Sequence, residues 1–358
     1  MKKWLQGLSL KDILRGCGAL LCLLLFAGIS LVERLTIDRL YDQQMAGRWS
    51  KENNVAQISC FFAADGAESA DYFTGLGITI DKKLVEASIA SEDEQTRLRI
   101  DVLSIPGKIT ISYGSKSVEL EALGVQGDFF QFHPLTLLDG SYFGPDSMMQ
   151  DGIVIDEEAA WQLFGSNDVA GMQVMIGQVP HLISGVVRRN TGKLAEAAGL
   201  DKSVCYLSME SLEKYGSVTG GYCYEMVMPN PVKGFALSTV SEVVDAENTE
   251  VNILENTGRF EAFVLIKKLL EFGTRSMSRQ GIVYPYWENV ARGYEDILLL
   301  TLVVKIILLI YPCVFLIWSL MRLWKKRTWR AADGYRYLKD KLYDLQVKRH
   351  KVKNERKK

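Results

Sequence analysis

Residues 152–187 read GIVIDEEAAWQLFGSNDVAGMQVMIGQVPHLISGVV, and the hydrophobic period changes along them. Ile153 to Ile155 form an unbroken apolar run suited to a buried strand, and AAWQLFG has helical spacing. Asp156, Glu157 and Glu158 stand where that helix begins, which suits capping and the helix dipole better than a catalytic carboxylate pair. Gly165 reads as the helix end, and MQVMIG and PHLISGVV as a hairpin between Gly171 and Gly185 that turns near Gly177. Just upstream, GVQGDFFQFHPLTLLDGSYFGPD (124–146) supplies a turn signal at Asp139-Gly140. Phe129, Phe130, Phe143, Trp161 and Phe164 are most simply read as core aromatics.

Farther out, VAQISCFFA (55–63) reads as a buried strand and SADYFTGLGITIDKKLVEASIA (69–90) as a helix loosened by Gly75 and Gly77. RLRIDVLSI, KITISYG and SVELEALGV (97–125) alternate like strands, with turn signals at Pro106-Gly107 and Gly114-Ser115. VCYLS, MESLEKYG, YEMVMPN and GFALSTVSEVVDA follow as strand, helix, strand, helix, and EVNILE and RFEAFVLIKKLLEFG as strand and helix. Mixed strands and short helices place this part in the α+β class.

The ordered set over 124–190 resembles the extracytoplasmic core domain of MacB-type and FtsX-like ABC transporter permeases. It comprises a glycine before Phe129-Phe130, a Leu-rich turn ending in Asp139-Gly140 before Phe143, and a strand leading to a helix with Ala159 and Leu163-Phe164-Gly165. Gly171 then precedes a hairpin that closes on Gly185-Val186-Val187. The resemblance implies a βαβ porter-like part with a smaller mixed β/α insertion, carried on two transmembrane α-helices with helical stalks. It also implies transport partners: a separate ABC ATPase, a four-span permease, or both. Two departures stand out. Typical members have four spans and a cytoplasmic coupling helix, whereas no apolar run follows Leu320, so the expectation is a reduced two-span form. The Arg often found in the family's GR-x-F turn is Ser141 here.

The layout of charge and hydropathy agrees with that arrangement. Over 358 residues, 42 Lys+Arg nearly balance 43 Asp+Glu, and 24% charged beside 48% hydrophobic residues excludes a disordered chain. The balance is uneven along the chain. CGALLCLLLFAGISLV (17–32) has no charge, and Ile297 to Leu320 is apolar apart from Lys305. Both runs have about the length a membrane helix needs. Residues 1–16 hold Lys2, Lys3, Lys11 and Arg15 against Asp12; residues 321–358 hold 15 Lys+Arg against 4 Asp+Glu, and the stretch between is acidic.

Positive charge beside the membrane marks the cytoplasmic side. The expected layout is therefore a cytoplasmic N-terminus (1–16), a first span (17–32), an extracytoplasmic domain with stalks (33–296), a second span (297–320) and a basic cytoplasmic tail (321–358). The first span reads as an uncleaved anchor in the plasma membrane rather than a signal peptide, because the apolar run continues through the best cleavage site, Gly28-Ile29-Ser30. Val32, Leu35, Leu40 and Met45 predict that its helix continues outward to residue 50 as a stalk. With the second span shifted to about 303–322, Lys305 lies one turn from the outer surface and suits snorkelling to the headgroups.

Chemistry is sparse. No GxxxxGK[ST] phosphate loop, CxxC pair or GxSxG elbow occurs, and His133, His181 and His350 are far apart in sequence. No catalytic, cofactor or metal site is expected, and no nucleic-acid partner, because basic residues just inside a membrane span favour lipid. Lys325, Lys326, Arg327 and Arg330 are candidates for lipid contact or coupling to a partner. Tyr284, Pro285, Tyr286 and Trp287 are candidates for a hinge or aromatic ledge, with a packed turn as the plainer alternative. Cys17, Cys22 and Cys313 lie in apolar runs, while Cys60, Cys205 and Cys223 face an oxidising exterior. A Cys205–Cys223 disulfide is one pairing open to them, and it would leave an odd cysteine.

Three functions remain at this point. One is a non-catalytic subunit or accessory protein of a MacB/FtsX-like ABC system, whose outer domain binds cargo or a partner. Another is a stand-alone membrane-anchored binding or sensory module. The third, an ectoenzyme, would need a pocket of converging polar groups.

Overall fold

The computed structural model describes residues 10–52, 54–64, 66, 69–89, 97–144, 150–246, 249–277, 281–326, 339, 341 and 343. They divide into two compact units, one of residues 33–302 and one built from the chain before and after it.

In chain order the elements are α1 (Leu10–Ile37), α2 (Met45–Trp49), β1 (Val55–Phe62), α3 (Ala70–Glu86), β2 (Ile100–Tyr113), β3 (Lys116–Gly127), α4 (Phe129–Phe132), β4 (Leu137–Gly140), β5 (Gly152–Asp156), α5 (Glu157–Phe164), β6 (Gln173–Ile176) and β7 (Val179–Val187). They continue as β8 (Val204–Ser208), α6 (Met209–Tyr215), β9 (Ser217–Val218), β10 (Cys223–Pro229), α7 (Phe235–Val244), β11 (Val251–Glu255), α8 (Ala262–Lys267) and α9 (Tyr286–Lys326).

All eleven strands belong to one sheet of order β11-β1-β10-β2-β3-β8-β5-β7-β4, with β6 and β9 on side branches. Its first four strands are mutually antiparallel. Together with α3 and α7 they form two interlocked split βαβ units, the ferredoxin-like arrangement. Everything from β3 to β9 is inserted between the second and third strands of that unit, and it extends the same sheet through the parallel pairs β3/β8 and β5/β7. The α+β class holds, with porter-like part and insertion sharing one sheet.

Both faces of the sheet are covered. Side chains alternate along each strand, so Ala56, Ile58, Cys60 and Phe62 of β1 join a core with α3, α5, α6 and α7. Phe61 of β1 and Val227 of β10 face the other way, into a core with Met45, Phe129, Phe132 and Trp287. Double burial is why VAQISCFFA reads as a continuous apolar run rather than an alternating one.

The motif region folds for the reasons its residue types suggest. Asp156 caps α5, its Oδ1 accepting from the Ala159 amide at 2.8 Å. Gly165 ends that helix in the left-handed conformation at φ 74°. Asp139 Oδ2 accepts from the amides of Val169 and Ala170 at 2.9 and 2.8 Å, pinning the loop before β6. Gly140 has φ 74°, and a Cβ there would collide with the Ser184 carbonyl.

Several expectations are corrected. α1 ends at Ile37 instead of running on to residue 50, because the strand residue Gln57 captures the next turn. Its Nε2 donates to the Asp42 carbonyl at 2.7 Å, and its Oε1 accepts from the Met45 amide at 2.8 Å. Leu40 and Met45 are buried in the domain instead of lining a stalk. Pro106-Gly107 makes no turn: β2 passes straight through it, at the point where its partner on one side changes from β10 to β9. Trp161 is 57% exposed and is not core. Cys205 and Cys223 do not pair. They lie on β8 and β10 with β2 and β3 between them, three strand spacings or about 14 Å apart, beyond disulfide reach.

In the other unit, the 10–32 part of α1 packs against the 303–326 part of α9. Gly18 meets the ring of Tyr311 closely, and Arg322 Nη1 lies 2.6 Å from Asp12 Oδ2. α9 continues through Pro312 without ending.

Candidate coupling site at the base of α9

α9 begins inside the 33–302 unit. Its first three turns carry Glu288, Arg292 and Glu295 at positions i, i+4 and i+7, which share one helix face. That face is turned inward, and both carboxylates are completely buried.

Arg259, in the turn after β11, is the cation they face. Its Nη1 and Nη2 grip Glu288 at 2.7 and 3.0 Å in a two-pronged pair, and its Nε donates to Glu295 at 2.9 Å. Nη1 also reaches the side-chain oxygens of Gln43 and Asn256 at 2.9 and 3.0 Å. Glu295 takes two further cations, Lys268 at 2.5 Å and Arg275 at 2.6 Å, while Arg292 Nε donates to Glu288 at 2.7 Å. Burial opposes the Arg259 charge, but Glu288 and Glu295 outweigh it and hold the guanidinium firmly protonated. For Lys268 burial prevails over Glu295, and its pKa falls below the usual lysine value.

Hydrogen bonds continue from this cluster into the domain. Asn256 Nδ2 donates to Ser59 Oγ at 2.7 Å, and Ser59 Oγ donates to Glu225 Oε1 at 2.6 Å. Glu225 Oε2 then faces His133 Nε2 at 2.7 Å, and the other ring nitrogen of His133 meets Asp42 Oδ1 at 2.9 Å. Burial would lower the His133 pKa, but Glu225 and Asp42 raise it to about 9. At neutral pH the ring is therefore an imidazolium donating both protons, its centroid 4.1 Å from that of the Trp287 ring and tilted 37° to it. An unbroken chain of polar contacts thus runs from Asp42, beyond the end of α1, through β10 and β1 to the base of α9. No group of three or more His, Cys, Asp or Glu among the described residues has metal-binding geometry.

The sequence-predicted sites lie elsewhere or at the edge. Trp287 is buried against Phe129 and His133, and the guanidinium of Arg292 sits 3.5 Å from the centroid of the Tyr284 ring. Tyr284 to Trp287 also line an open groove of about 350 Å³ with Met277 and Leu123. Lys325 is exposed on α9 and Lys326 is its last residue, while Arg327 and Arg330 lie outside the described residues. The buried cysteines have thiols pushed up by burial, which leaves them unreactive. Sequence reasoning missed the charge cluster: the i, i+4, i+7 spacing of Glu288, Arg292 and Glu295 is the one local signal of a shared face, and nothing local marks Arg259 as its partner.

Residues 42–246 match the model of the MacB-like periplasmic core domain. The chain belongs to this family. The match includes Asp42, Ser59, His133 and Glu225 and ends before Asn256, Arg259 and α9. Among curated relatives, the macrolide export ATP-binding/permease protein MacB of Pectobacterium atrosepticum is 27% identical over 172 residues, covering 46% of this chain and 26% of that protein. The MacB of Pasteurella multocida is 31% identical over 106 residues, 29% of this chain and 16% of that protein. The chain thus spans about a quarter or less of the length of these relatives. The crystal structure of the periplasmic region of MacB from Actinobacillus actinomycetemcomitans aligns over 62% of this chain and 94% of its own length, at 18% identity and a TM-score of 0.39. Family membership and two helices long and apolar enough to cross a bilayer describe a membrane protein with an extracytoplasmic domain.

Proposed function

We propose that the chain is a non-catalytic membrane component of a MacB/FtsX-like ABC transport system. Its outer domain binds cargo or a partner, and ATP hydrolysis is supplied by a separate subunit. The observation that carries this reading is the clamp of Arg259 on Glu288 and Glu295. It fixes the first turns of α9 into the domain, and the same helix continues as the second apolar run. A helix held in this way can transmit displacement along its axis, which is what biasing two arrangements of an outer domain from the membrane requires. In this reading both termini are cytoplasmic. Lys325, Lys326, Arg327 and Arg330 contact anionic lipid or the partner, and Tyr284 to Trp287 form the aromatic ledge that, with the clamp, anchors the start of α9.

The test is a mild-detergent pull-down of the full-length protein beside a version truncated after Leu323. An ABC ATPase or four-span permease retained by the first and lost by the second supports coupling through the tail. If both proteins stay folded in the membrane and neither retains such a partner, the reading becomes a membrane-anchored binding module.

A further inference from the structure

Between β11 and α9 the chain exposes a run of large apolar side chains that no other described residue of the 33–302 unit covers. Phe263, Ile266, Leu269, Leu270 and Phe272 are 77, 49, 52, 97 and 41% exposed, on α8, the 3-10 turn Leu269–Glu271 that follows it and the residue after that turn. Soluble domains seldom leave such a cluster open to water without a use for it.

The segment is held firmly. Leu265 points the other way and is buried with Leu298 and Leu299 of α9, with Ile37, Phe260 and Leu302 packed around them. Lys268 and Arg275 anchor to Glu295, and the Gly273 amide donates to Asp296 Oδ2 at 3.2 Å. These contacts fix its height on α9. Leu298 and Leu299 stand in the first turn of the apolar run that starts at Ile297, so α8 lies beside the start of that run.

We propose that segment 262–272 is a monotopic membrane-contact element, whose Phe263, Ile266, Leu269, Leu270 and Phe272 insert into the bilayer leaflet on the domain's side. The observations favour lipid because the segment is packed, through Leu265, on Leu298 and Leu299 at the start of the second apolar run. Charge plays little part. Glu261, Lys267 and Glu271 are exposed and of mixed sign, so the element recognises the apolar boundary of the bilayer rather than anionic headgroups. This inference needs α9 to enter the membrane but does not depend on any ATPase partner.

The experiment places the purified full-length protein in phosphatidylcholine nanodiscs that carry a photoactivatable diazirine high on the acyl chain. After irradiation, labelled peptides are mapped by mass spectrometry. The expected result is labelling of 262–272 together with the two apolar runs, and none of α5 or α6. Replacing both Phe263 and Leu270 with Glu should abolish labelling of 262–272 and leave that of the runs unchanged. Both side chains project outward, so the variant keeps its packing. The proposal is overturned if 262–272 stays unlabelled while the runs are labelled, if the variant is labelled as strongly as the parent, or if the segment cross-links instead to a second copy of the chain.

Discussion

His133 holds a proton between two carboxylates in a place water does not reach, and its energetic role follows from its pKa. Raised from about 6.5 in an unfolded chain to about 9 in the fold, it adds stability that is fully present below pH 6.5 and is lost as pH rises through 9. The size of that contribution is on the order of 3 kcal/mol. Denaturant melts of the full-length protein from pH 6 to 10 should show the midpoint falling over this window, and His133→Gln should flatten the slope as well as lower the plateau. Arg259 sets a different balance. Removing it takes from Glu288 and Glu295 the cation they share and leaves them only Arg292 on one side and Lys268 and Arg275 on the other, so Arg259→Ala should cost about 3 kcal/mol, the low end for breaking a buried pair. The combination with Glu288→Gln should cost less than the sum of the two separate changes, and a double-mutant cycle measures that coupling.

At the scale of elements, the α5 region was legible because its determinants are local. An acid at the N-terminus, helical apolar spacing and a glycine at the end act within one segment, and each occupies its expected place. Asp156→Asn should cost about 1 kcal/mol, because the single amide oxygen can keep the bond to Ala159 but the NH2 group cannot accept from Val204. Asp156→Ala should cost more, because the amides of Ala159 and Val204 both lose their acceptor, and the difference is readable in thermal melts. Three expectations failed for one physical reason: a distant residue decided the local outcome. Gln57 ends the stalk helix, partner strands carry β2 through Pro106-Gly107, and the strand order separates Cys205 from Cys223. Arg259 was illegible for the same reason, since a lone arginine in TGRFEAF gives no sign that two glutamates some thirty residues later fold around it.

For the whole molecule, the outer domain has a boundary that hydropathy alone places too early or too late. Trp287, Glu288 and Glu295 belong to its interior, although they lie on the helix that becomes the second apolar run. A soluble fragment of residues 38–296 should therefore melt cooperatively. One ending at residue 285 should melt at clearly lower temperature or aggregate, because Arg259 is left buried without its acids and the Trp287 site is empty of its ring. Circular dichroism melts of the two fragments decide this.

The insertion of β3 to β9 between two strands of the ferredoxin-like unit also sets an order of events while the chain is being made. β10 fills the slot between β1 and β2, and across it Ser59 bonds Glu225, 166 residues farther along. β1 is thus delivered to the far side of the membrane long before its partner is synthesised, while the β2/β3 hairpin can zip at once. Until Cys223–Pro229 emerges, the strand VAQISCFF is an unpaired apolar edge, prone to pairing with other chains. Pulse-labelled hydrogen exchange during refolding should find the β2 and β3 amides protected well before those of β1 and β10, and mutations that slow folding of the insertion should raise aggregation through β1 even though they lie far from it.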